Sequence, residues 1–167
     1  MLLFSTALMK HKLMFKQLSS CMECLPIAAK WTEEEWGYIR NKGVEFRQEV
    51  MNSLKENVYI GFFADQPVAM FALFNHSFPL ELTIATENLP KACELMYVFV
   101  EKKYRGLGFG KQIIDQAKQL AANSGAELIL LDTLKPNLNR LYEKHNAEVI
   151  CEGSLFGHGT DVLRMRV

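Results

Sequence analysis

The chain has 167 residues, the length of one typical domain, and 49% of them are hydrophobic while 23% are charged. Nineteen basic residues balance nineteen acidic ones, so no net charge attracts nucleic acid or an anionic membrane, and we expect neither as a partner. No run approaches the ~20 apolar residues that span a bilayer. We therefore expect one domain over residues 1–167, in the cytoplasm.

The N-terminus and the cysteines do not indicate secretion or metal binding. The apolar run at residues 1–9 has no basic residue before it and charged residues where a cleavage site should lie, so we expect residues 1–10 to be a disordered or mis-started extension. Cys21 and Cys24 form a C-x-x-C, but no second pair of ligands completes a zinc site. We interpret them as reduced, apolar side chains and expect no metal.

The first third of the chain predicts a strand and two helices. Residues 13–18 alternate loosely between apolar and polar side chains, as in a short strand. Helical signals follow over residues 24–54, with a capping box predicted at Thr32. Gly43 is expected to divide this stretch into two helices.

A hairpin is predicted next. Two runs of β-branched and aromatic residues, 58–64 and 68–74, flank a turn predicted at residues 65–67. Residues 75–92 are irregular and leave room for one edge strand at residues 80–84.

The second half predicts a strand, a helix and a strand. Residues 95–100 and 128–131 are apolar runs typical of strands buried on both faces. Between them, residues 109–121 repeat apolar side chains at helical spacing, and Gly125 is placed to end the helix. Such a βαβ unit has parallel strands and a right-handed crossover.

The C-terminal segment completes a mixed α/β order. After Pro136 we expect a short helix to about His145, then closing strands at residues 148–151 and 162–167. The fold class is therefore α/β, with a central mixed sheet of about six to seven strands flanked by helices and a parallel unit in the C-terminal half.

A glycine-rich loop joins the predicted strand to the long helix. Its sequence, residues 105–111, places glycines at every second position, which permits a tight turn with exposed N–H groups. The helix start adds unpaired donors and a dipole that favours anions, and Arg105 and Lys111 add positive charge. The loop predicts a phosphate cradle, most naturally for a pyrophosphate.

Two common phosphate-binding folds fit this loop poorly. The third glycine comes one residue early for G-x-G-x-x-G, and few βα units follow. A P-loop needs one more residue before Gly110-Lys111, and a Ser or Thr where Gln112 stands. A glycine turn that only packs the helix on the strand is the remaining alternative.

The loop resembles the coenzyme A-binding motif of the GNAT superfamily, R/Q-x-x-G-x-G/A, with Arg105, Gly108 and Gly110 at its positions. Residues 100–106 resemble the preceding V-x-P-x-Y-R-G, with Lys102 in place of the proline. The two stretches are contiguous and lie between the predicted strand and helix, as in the family.

A second block strengthens the resemblance. Residues 141–147 resemble L-Y-x-K-x-G-F, with Asn146 in place of glycine and Ala147 in place of the aromatic. Asn accepts the left-handed conformation at a helix end. The resemblance covers residues 94–150 and implies a GNAT-like fold.

The resemblance implies an N-acetyltransferase that moves the acetyl group of acetyl-CoA directly to an amine in a ternary complex. The amine must lose a proton, the oxyanion needs a donor and the thiolate needs a proton. Tyr142 matches the family's acid for the thiolate. Glu94 matches a carboxylate base, on the face it shares with Val98 and Val100 if alternation holds. Asp132, at the end of the next strand, is a second acidic candidate.

The resemblance also implies cofactor contacts. Backbone groups of the splayed strand pair with the pantetheine arm, the loop holds the pyrophosphate, and Asn137 stands, at an irregular spacing, for an Asn that relatives place seven residues before the tyrosine. The implied contacts are Val98, Phe99, Val100, Arg105, Gly106, Leu107, Gly108, Phe109, Gly110, Lys111, Asn137 and Tyr142.

The acceptor stays open between a small amine, a peptide N-terminus and a lysine side chain. We expect its site among the N-terminal helices, residues 75–92 and a loop at residues 153–161. A non-catalytic coenzyme A-binding module and an enzyme for another acyl-CoA are the alternatives. A monomer or a homodimer is expected.

Overall fold

The computed structural model describes residues 11–76, 90–134 and 136–167. The helices it describes are α1 (Leu25–Arg40), α2 (Gly43–Ser53), α3 (Phe109–Asn123) and α4 (Asn139–Glu143). The strands are β1 (Met14–Gln17), β2 (Val58–Phe63), β3 (Gln66–Asn75), β4 (Ala92–Val100), β5 (Leu128–Thr133), β6 (Glu148–Leu155) and β7 (His158–Arg166). None of these helices is long and apolar enough to cross a membrane.

Seven strands in this described part of the chain form one mixed sheet, in the order β1-β2-β3-β4-β5-β7-β6. Strands β4 and β5 are parallel, whereas β1 with β2, β2 with β3, β5 with β7 and β6 with β7 are antiparallel. The predicted fold class and its parallel strand pair are confirmed. The handedness of the crossover stays a prediction, and the edge strand expected at residues 80–84 lies outside the described residues.

The chain forms two compact units. The first contains the described residues 11–72 and 97–113, and the second contains the described residues from 73 to 96 and from 114 onward. Strand β4 and helix α3 each contribute residues to both units. The single domain over residues 1–167 stays a prediction.

In the first unit, the helix and hairpin boundaries differ from the predicted ones. Thr32 does not cap a helix: it lies buried within α1 and its hydroxyl donates to the Ala28 carbonyl at 2.7 Å. Gly43 separates the two helices as predicted and begins α2. The hairpin turns at Ala64 and Asp65, whose φ angles of 48° and 63° suit the tight reversal between twisted strands.

The cysteine pair lies before α1. Cys21 and Cys24 are free and buried. Burial is the main cause that raises the pKa of Cys24, to about 11, so its thiol stays protonated at neutral pH. A buried, uncharged thiol packs as a small apolar side chain does.

In the second unit, the strands are less completely buried than predicted, because one face of each carries an exposed residue. In β5, Ile129 and Leu131 are buried while Asp132 is exposed, and in β4 Met96 is 38% exposed. Gly125 ends α3 with φ 80°, as predicted.

The closing strands are longer than predicted. Residues 153–161, expected as a loop, belong mostly to β6 and β7, because the hairpin reverses at Phe156 and Gly157 with φ angles of 48° and 83°. The predicted short helix is also present but ends at Glu143, and Asn146 beyond it has φ 65°, the left-handed conformation expected there.

Candidate active site

Strand β4, which carries the predicted pantetheine contacts, contains a distortion at Tyr97. Its φ of 53° is left-handed, a conformation that costs a non-glycine residue about 1–2 kcal/mol and that clusters at functional sites. The regular alternation of β4 is therefore interrupted between Glu94 and Val98. The expectation that Glu94 shares a face with Val98 and Val100 assumed regular alternation, and it stays a prediction.

The surroundings of Tyr97 belong to the first unit. Its ring meets Trp36 of α1 edge-on at 5.6 Å. Burial raises the pKa of Tyr97, while the charges of Arg47 and Arg40 act in the opposite direction. Arg47 is itself buried and donates to the Trp36 carbonyl at 2.9 Å. No sequence motif indicated this arrangement.

Pairing between β4 and β5 covers only the start of β4. The register runs from Ala92 opposite Leu128 to Glu94 opposite Leu130, and no later β4 residue has a β5 partner among the described residues. Val98, Phe99 and Val100 lie in this later stretch. The Phe99 side chain is buried, so backbone groups are what this residue can offer to an extended ligand.

The glycine loop is open to solvent. Gly106 and Gly108 have φ angles of 82° and 85°, and a Cβ at either position would meet no atom within 4 Å. The glycines are therefore required by the backbone turn and not by contact with the rest of the chain. Gly108 accepts a backbone hydrogen bond from Gln112 at 3.3 Å, which places the N–H groups of the first α3 turn, those that no carbonyl within the helix can reach, directly after it.

Two groups of contacts support this loop from inside the first unit. The Phe63 ring lies 6.1 Å from Tyr104 and 5.4 Å from the buried Phe109. The Gln112 side chain accepts from the Leu13 N–H at 2.8 Å and donates to the His11 carbonyl at 2.6 Å. Gln112 thus holds the N-terminal segment through hydrogen bonds. Its position in the sequence, directly after the glycine loop, did not indicate this role.

Arg105 lies against β4 and α1. Its Nε donates to the Val100 carbonyl at 2.8 Å, its guanidinium lies 5.7 Å from the Phe99 ring centre, and its Nη2 is 3.9 Å from the Glu35 carboxylate. Leu107 and Lys111 are exposed beside it on the loop. The phosphate contacts implied for Arg105 and Lys111 stay predictions.

The second unit carries the predicted acid–base residues. Glu94 is half-buried, and its carboxylate lies 3.8 Å from the His76 imidazole. Asp132 shares the Glu94 face of the sheet, because Glu94 is level with Leu130 and Asp132 is two residues further along β5. Partial burial and then the charge of Glu94 raise the pKa of Asp132 above its usual value. His76 had no motif to indicate it.

Tyr142 is buried at the end of α4. Burial raises its pKa to about 12, so the phenol keeps its proton at neutral pH. Its carbonyl accepts from the His145 and Ala147 N–H groups at 2.8 and 3.1 Å, and Lys118 of α3 donates to the His145 carbonyl at 3.1 Å. These bonds fix the end of α4 after Tyr142.

Asn137 is exposed just before α4. The position seven residues before the tyrosine, Lys135, lies outside the described residues. The implied cofactor role of Asn137 stays a prediction.

A pocket of about 250 Å³ lies beside the β6–β7 hairpin within the second unit. Its lining includes two acidic residues, Glu152 and Asp161, together with Thr133. Asn139 of α4 donates to Asp161 at 2.7 Å and lies 2.5 Å from the Thr133 hydroxyl, which holds both groups in place. Sequence reasoning placed this hairpin near an acceptor but missed the Asn139 link, which joins elements distant in sequence.

The predicted site residues thus fall in two groups. The strand end and the glycine loop, from Val98 to Lys111, lie in the first unit. Glu94, Asp132, Asn137 and Tyr142 lie in the second.

Comparison with known proteins points to the same family as the glycine loop and the tyrosine block. The model of the acetyltransferase (GNAT) family matches residues 20–147. A chain of the NatC complex bound to Gag peptide and CoA is similar in structure, with a TM-score of 0.69 and 16% identity over 93% of this chain and 99% of that one. Ard1 from Thermoplasma volcanium has a TM-score of 0.65 and 10% identity over 93% and 97% of the two chains.

An apo agmatine N-acetyltransferase mutant is a third similar structure, with a TM-score of 0.64 and 11% identity over 93% of this chain and 100% of that one. At these identities the likeness is one of fold. No curated protein sequence matches the chain. The family match spans most of the chain and includes both the glycine loop and the tyrosine block. The chain belongs to the GNAT acetyltransferase family.

Proposed function

We propose that the protein is an N-acetyltransferase that moves the acetyl group of acetyl-CoA directly to an amine in a ternary complex. The observation that carries this proposal is the open glycine loop. Gly106 and Gly108 adopt left-handed conformations with free space outside them, at the N-terminus of a 15-residue helix. Such a loop suits a pyrophosphate, and the CoA in the similar NatC structure supports the same ligand class.

Glu94 is the proposed base. An amine with a lysine-like pKa of about 10.4 arrives protonated, and a half-buried carboxylate is suited to accept its proton. The freed amine forms the new C–N bond while the C–S bond breaks. Asp132 lies on the same face of the sheet, and partial burial and the charge of Glu94 raise its pKa above that of an ordinary aspartate.

Tyr142 is the proposed partner of the departing sulfur. Full proton transfer from a phenol of pKa about 12 to a thiolate of pKa about 8.5 is uphill by roughly 5 kcal/mol. We therefore assign to Tyr142 a hydrogen bond that stabilises the developing thiolate, without lasting ionisation of the phenol. The amine loses two protons in all. Glu94 takes the first before the attack, and the second leaves the nitrogen after the C–N bond forms and balances the one that the thiolate gains.

The acceptor is proposed to be a cationic amine. The acidic residues Glu152 and Asp161 are among those that line a pocket too small for a folded partner but large enough for an amine side chain or a small polyamine segment. Small amines, peptide N-termini and lysine side chains all meet this description. Cytoplasmic location and a monomeric or dimeric state remain part of the proposal.

Calorimetric titration with acetyl-CoA tests the cofactor assignment. We expect micromolar binding to the wild type and its loss in Gly108→Glu, because the added carboxylate would lie where the pyrophosphate binds. Gly43→Glu is the matched control, since Gly43 also has φ 82° and no atom within 4 Å of a Cβ but lies outside the loop. Equal binding by both variants, or no wild-type binding at millimolar acetyl-CoA, would reject the assignment.

An amine panel with detection of free thiol then tests the transfer. We expect cationic amines to release CoA faster than neutral or anionic ones of similar size, and longer acyl groups to react more slowly than acetyl. Binding without turnover on any amine would identify a non-catalytic coenzyme A-binding module instead.

A further inference from the structure

The C-terminal end of β4 is held by helix α1 through two contacts one helical turn apart. Trp31 stacks on Phe99 with ring centres 5.3 Å apart, and both side chains are buried. Glu35, four residues after Trp31, faces the guanidinium of Arg105 at 3.9 Å. Residues at i and i+4 share one helix face, so α1 meets the strand end and the loop residue Arg105 with a single face.

Arg105 connects this helix face to the backbone of β4. Its Nε–H donates to the Val100 carbonyl at 2.8 Å, and its planar group lies over the Phe99 ring at 5.7 Å. An arginine fork keeps fixed angles between its donors, so an anion on one side orients the donor on the other. The Glu35 carboxylate is only 22% exposed, which reduces screening of its charge by solvent.

We propose that Glu35 is a positioning residue: through Arg105 it holds the Val100 carbonyl and thereby sets the end of β4 for the pantetheine arm of the cofactor. The expected effect on cofactor binding rests on the proposed function, whereas the contacts among Glu35, Arg105 and Val100 do not. Arg105 acts in this arrangement on the strand, in addition to any charge it offers to the pyrophosphate. An extended ligand that pairs with backbone groups needs those groups at fixed positions before it binds, so loosening the strand end weakens binding.

The chain contains a matched control at the neighbouring position. Glu34 is also in α1, but its side chain is 57% exposed and pairs with Lys30 instead of Arg105. Glu35→Gln and Glu34→Gln remove one negative charge from adjacent positions and keep the side-chain volume. Any effect of net charge on an anionic ligand is therefore common to both variants.

Hydrogen–deuterium exchange of the ligand-free protein tests the contact network. We expect amides of residues 97–101 to exchange about three- to fivefold faster in Glu35→Gln, the size of effect for a partly exposed ion pair, and no change in Glu34→Gln. Arg105→Lys keeps the charge but loses the Nε donor, and should give the same acceleration. Glu35→Gln added to Arg105→Lys should then add nothing, because the two residues act as one unit.

Calorimetry with acetyl-CoA tests the consequence. We expect the dissociation constant to rise about three- to fivefold in Glu35→Gln and to stay within twofold in Glu34→Gln. Tighter binding in Glu35→Gln would mean that Glu35 competes with the pyrophosphate for Arg105, and would overturn the proposal, as would unchanged exchange at residues 97–101. If the wild type binds no acetyl-CoA, the proposed function fails, and the exchange experiment alone still decides whether Glu35 holds the strand.

Discussion

Gln112 accepts a hydrogen bond from the backbone N–H of Leu13 at 2.8 Å, across 99 positions of sequence. Its amide also donates to the nearby His11 carbonyl, so a side chain in the first turn of α3 pairs with the N-terminal segment as a neighbouring strand would. Leu13 is buried and its bond to Gln112 is partly shielded from solvent, so the loss of Gln112 would leave this N–H without its protein partner. These two hydrogen bonds join helix α3, which follows the glycine loop, to the N-terminal segment at His11 and Leu13.

Gln112→Ala should destabilise the protein by about 1–3 kcal/mol, the cost of leaving a buried backbone donor without a partner. Urea unfolding monitored by circular dichroism measures the change. Gln119→Ala, on the exposed side of the same helix, is the control and should shift the free energy of unfolding by less than about 0.5 kcal/mol. Equal effects of the two substitutions would show that the Gln112 bonds contribute nothing in solution.

Arg47→Met should cost about 2–4 kcal/mol of stability. Arg47 is buried, donates to the Trp36 carbonyl at 2.9 Å and pairs with Glu33 at 3.3 Å, so its removal leaves both groups without their partner. The lower end of the range allows for the partial exposure of Glu33, which solvent can reach. Lys30→Met, which breaks only an exposed pair, should stay within about 0.5 kcal/mol, and a similar loss in both variants would count against this assignment.

Tyr142 should make stability depend on pH in the alkaline range. Its pKa is raised from 10.0 to about 12 in the folded state by burial, so between these values the folded state holds a proton that the unfolded state has lost. The contribution is fully present below pH 10 and is lost as pH rises towards 12, by about 3 kcal/mol in all.

Urea unfolding at pH 8 and near pH 11 measures this dependence. Tyr142→Phe should lose less stability than the wild type over that interval, because the phenylalanine does not titrate. Tyr38→Phe, at a side chain 45% exposed, is the control and should follow the wild type. Parallel pH curves for all three proteins would contradict the burial of a neutral phenol at Tyr142.

Glu94→Gln should lower the pKa of Asp132 and slow transfer. The charge of Glu94 is one of the two causes that raise this pKa, so neutralising it should move the value towards that of an ordinary aspartate. Carbon NMR titration of the carboxyl groups follows the shift directly. Removal of a general base typically lowers the rate by about 10²–10⁴-fold at neutral pH, while acetyl-CoA binding should be retained.

Glu127→Gln is a suitable control for this experiment, since Glu127 is an exposed residue just before β5. It should leave both the Asp132 titration and the turnover unchanged. Wild-type turnover in Glu94→Gln would remove Glu94 from the mechanism and leave Asp132 as the remaining acidic candidate.

Local patterns were sufficient to predict most elements of the fold. The apolar spacing of α3, the stop at Gly125 and the run of β5 each depend on side chains close in sequence, and the structure contains all three. The left-handed Asn146 was predictable for the same reason, because the end of a helix restricts which residues can follow it. Thr32 shows the limit: a capping pattern is local, but burial within a longer helix overrides it.

The candidate site also contains features that follow from local sequence and features that depend on the tertiary structure. By itself the sequence determined the turn of the glycine loop, because its glycines and the helix start after it are adjacent in the chain. Only the tertiary structure decided the left-handed Tyr97, the Glu94 contact with His76, the Asn139 bond to Asp161 and the Glu35 contact with Arg105. Each of these depends on which helices, strands and loops the fold makes neighbours, and such long-range contacts leave no local pattern for a sequence to display.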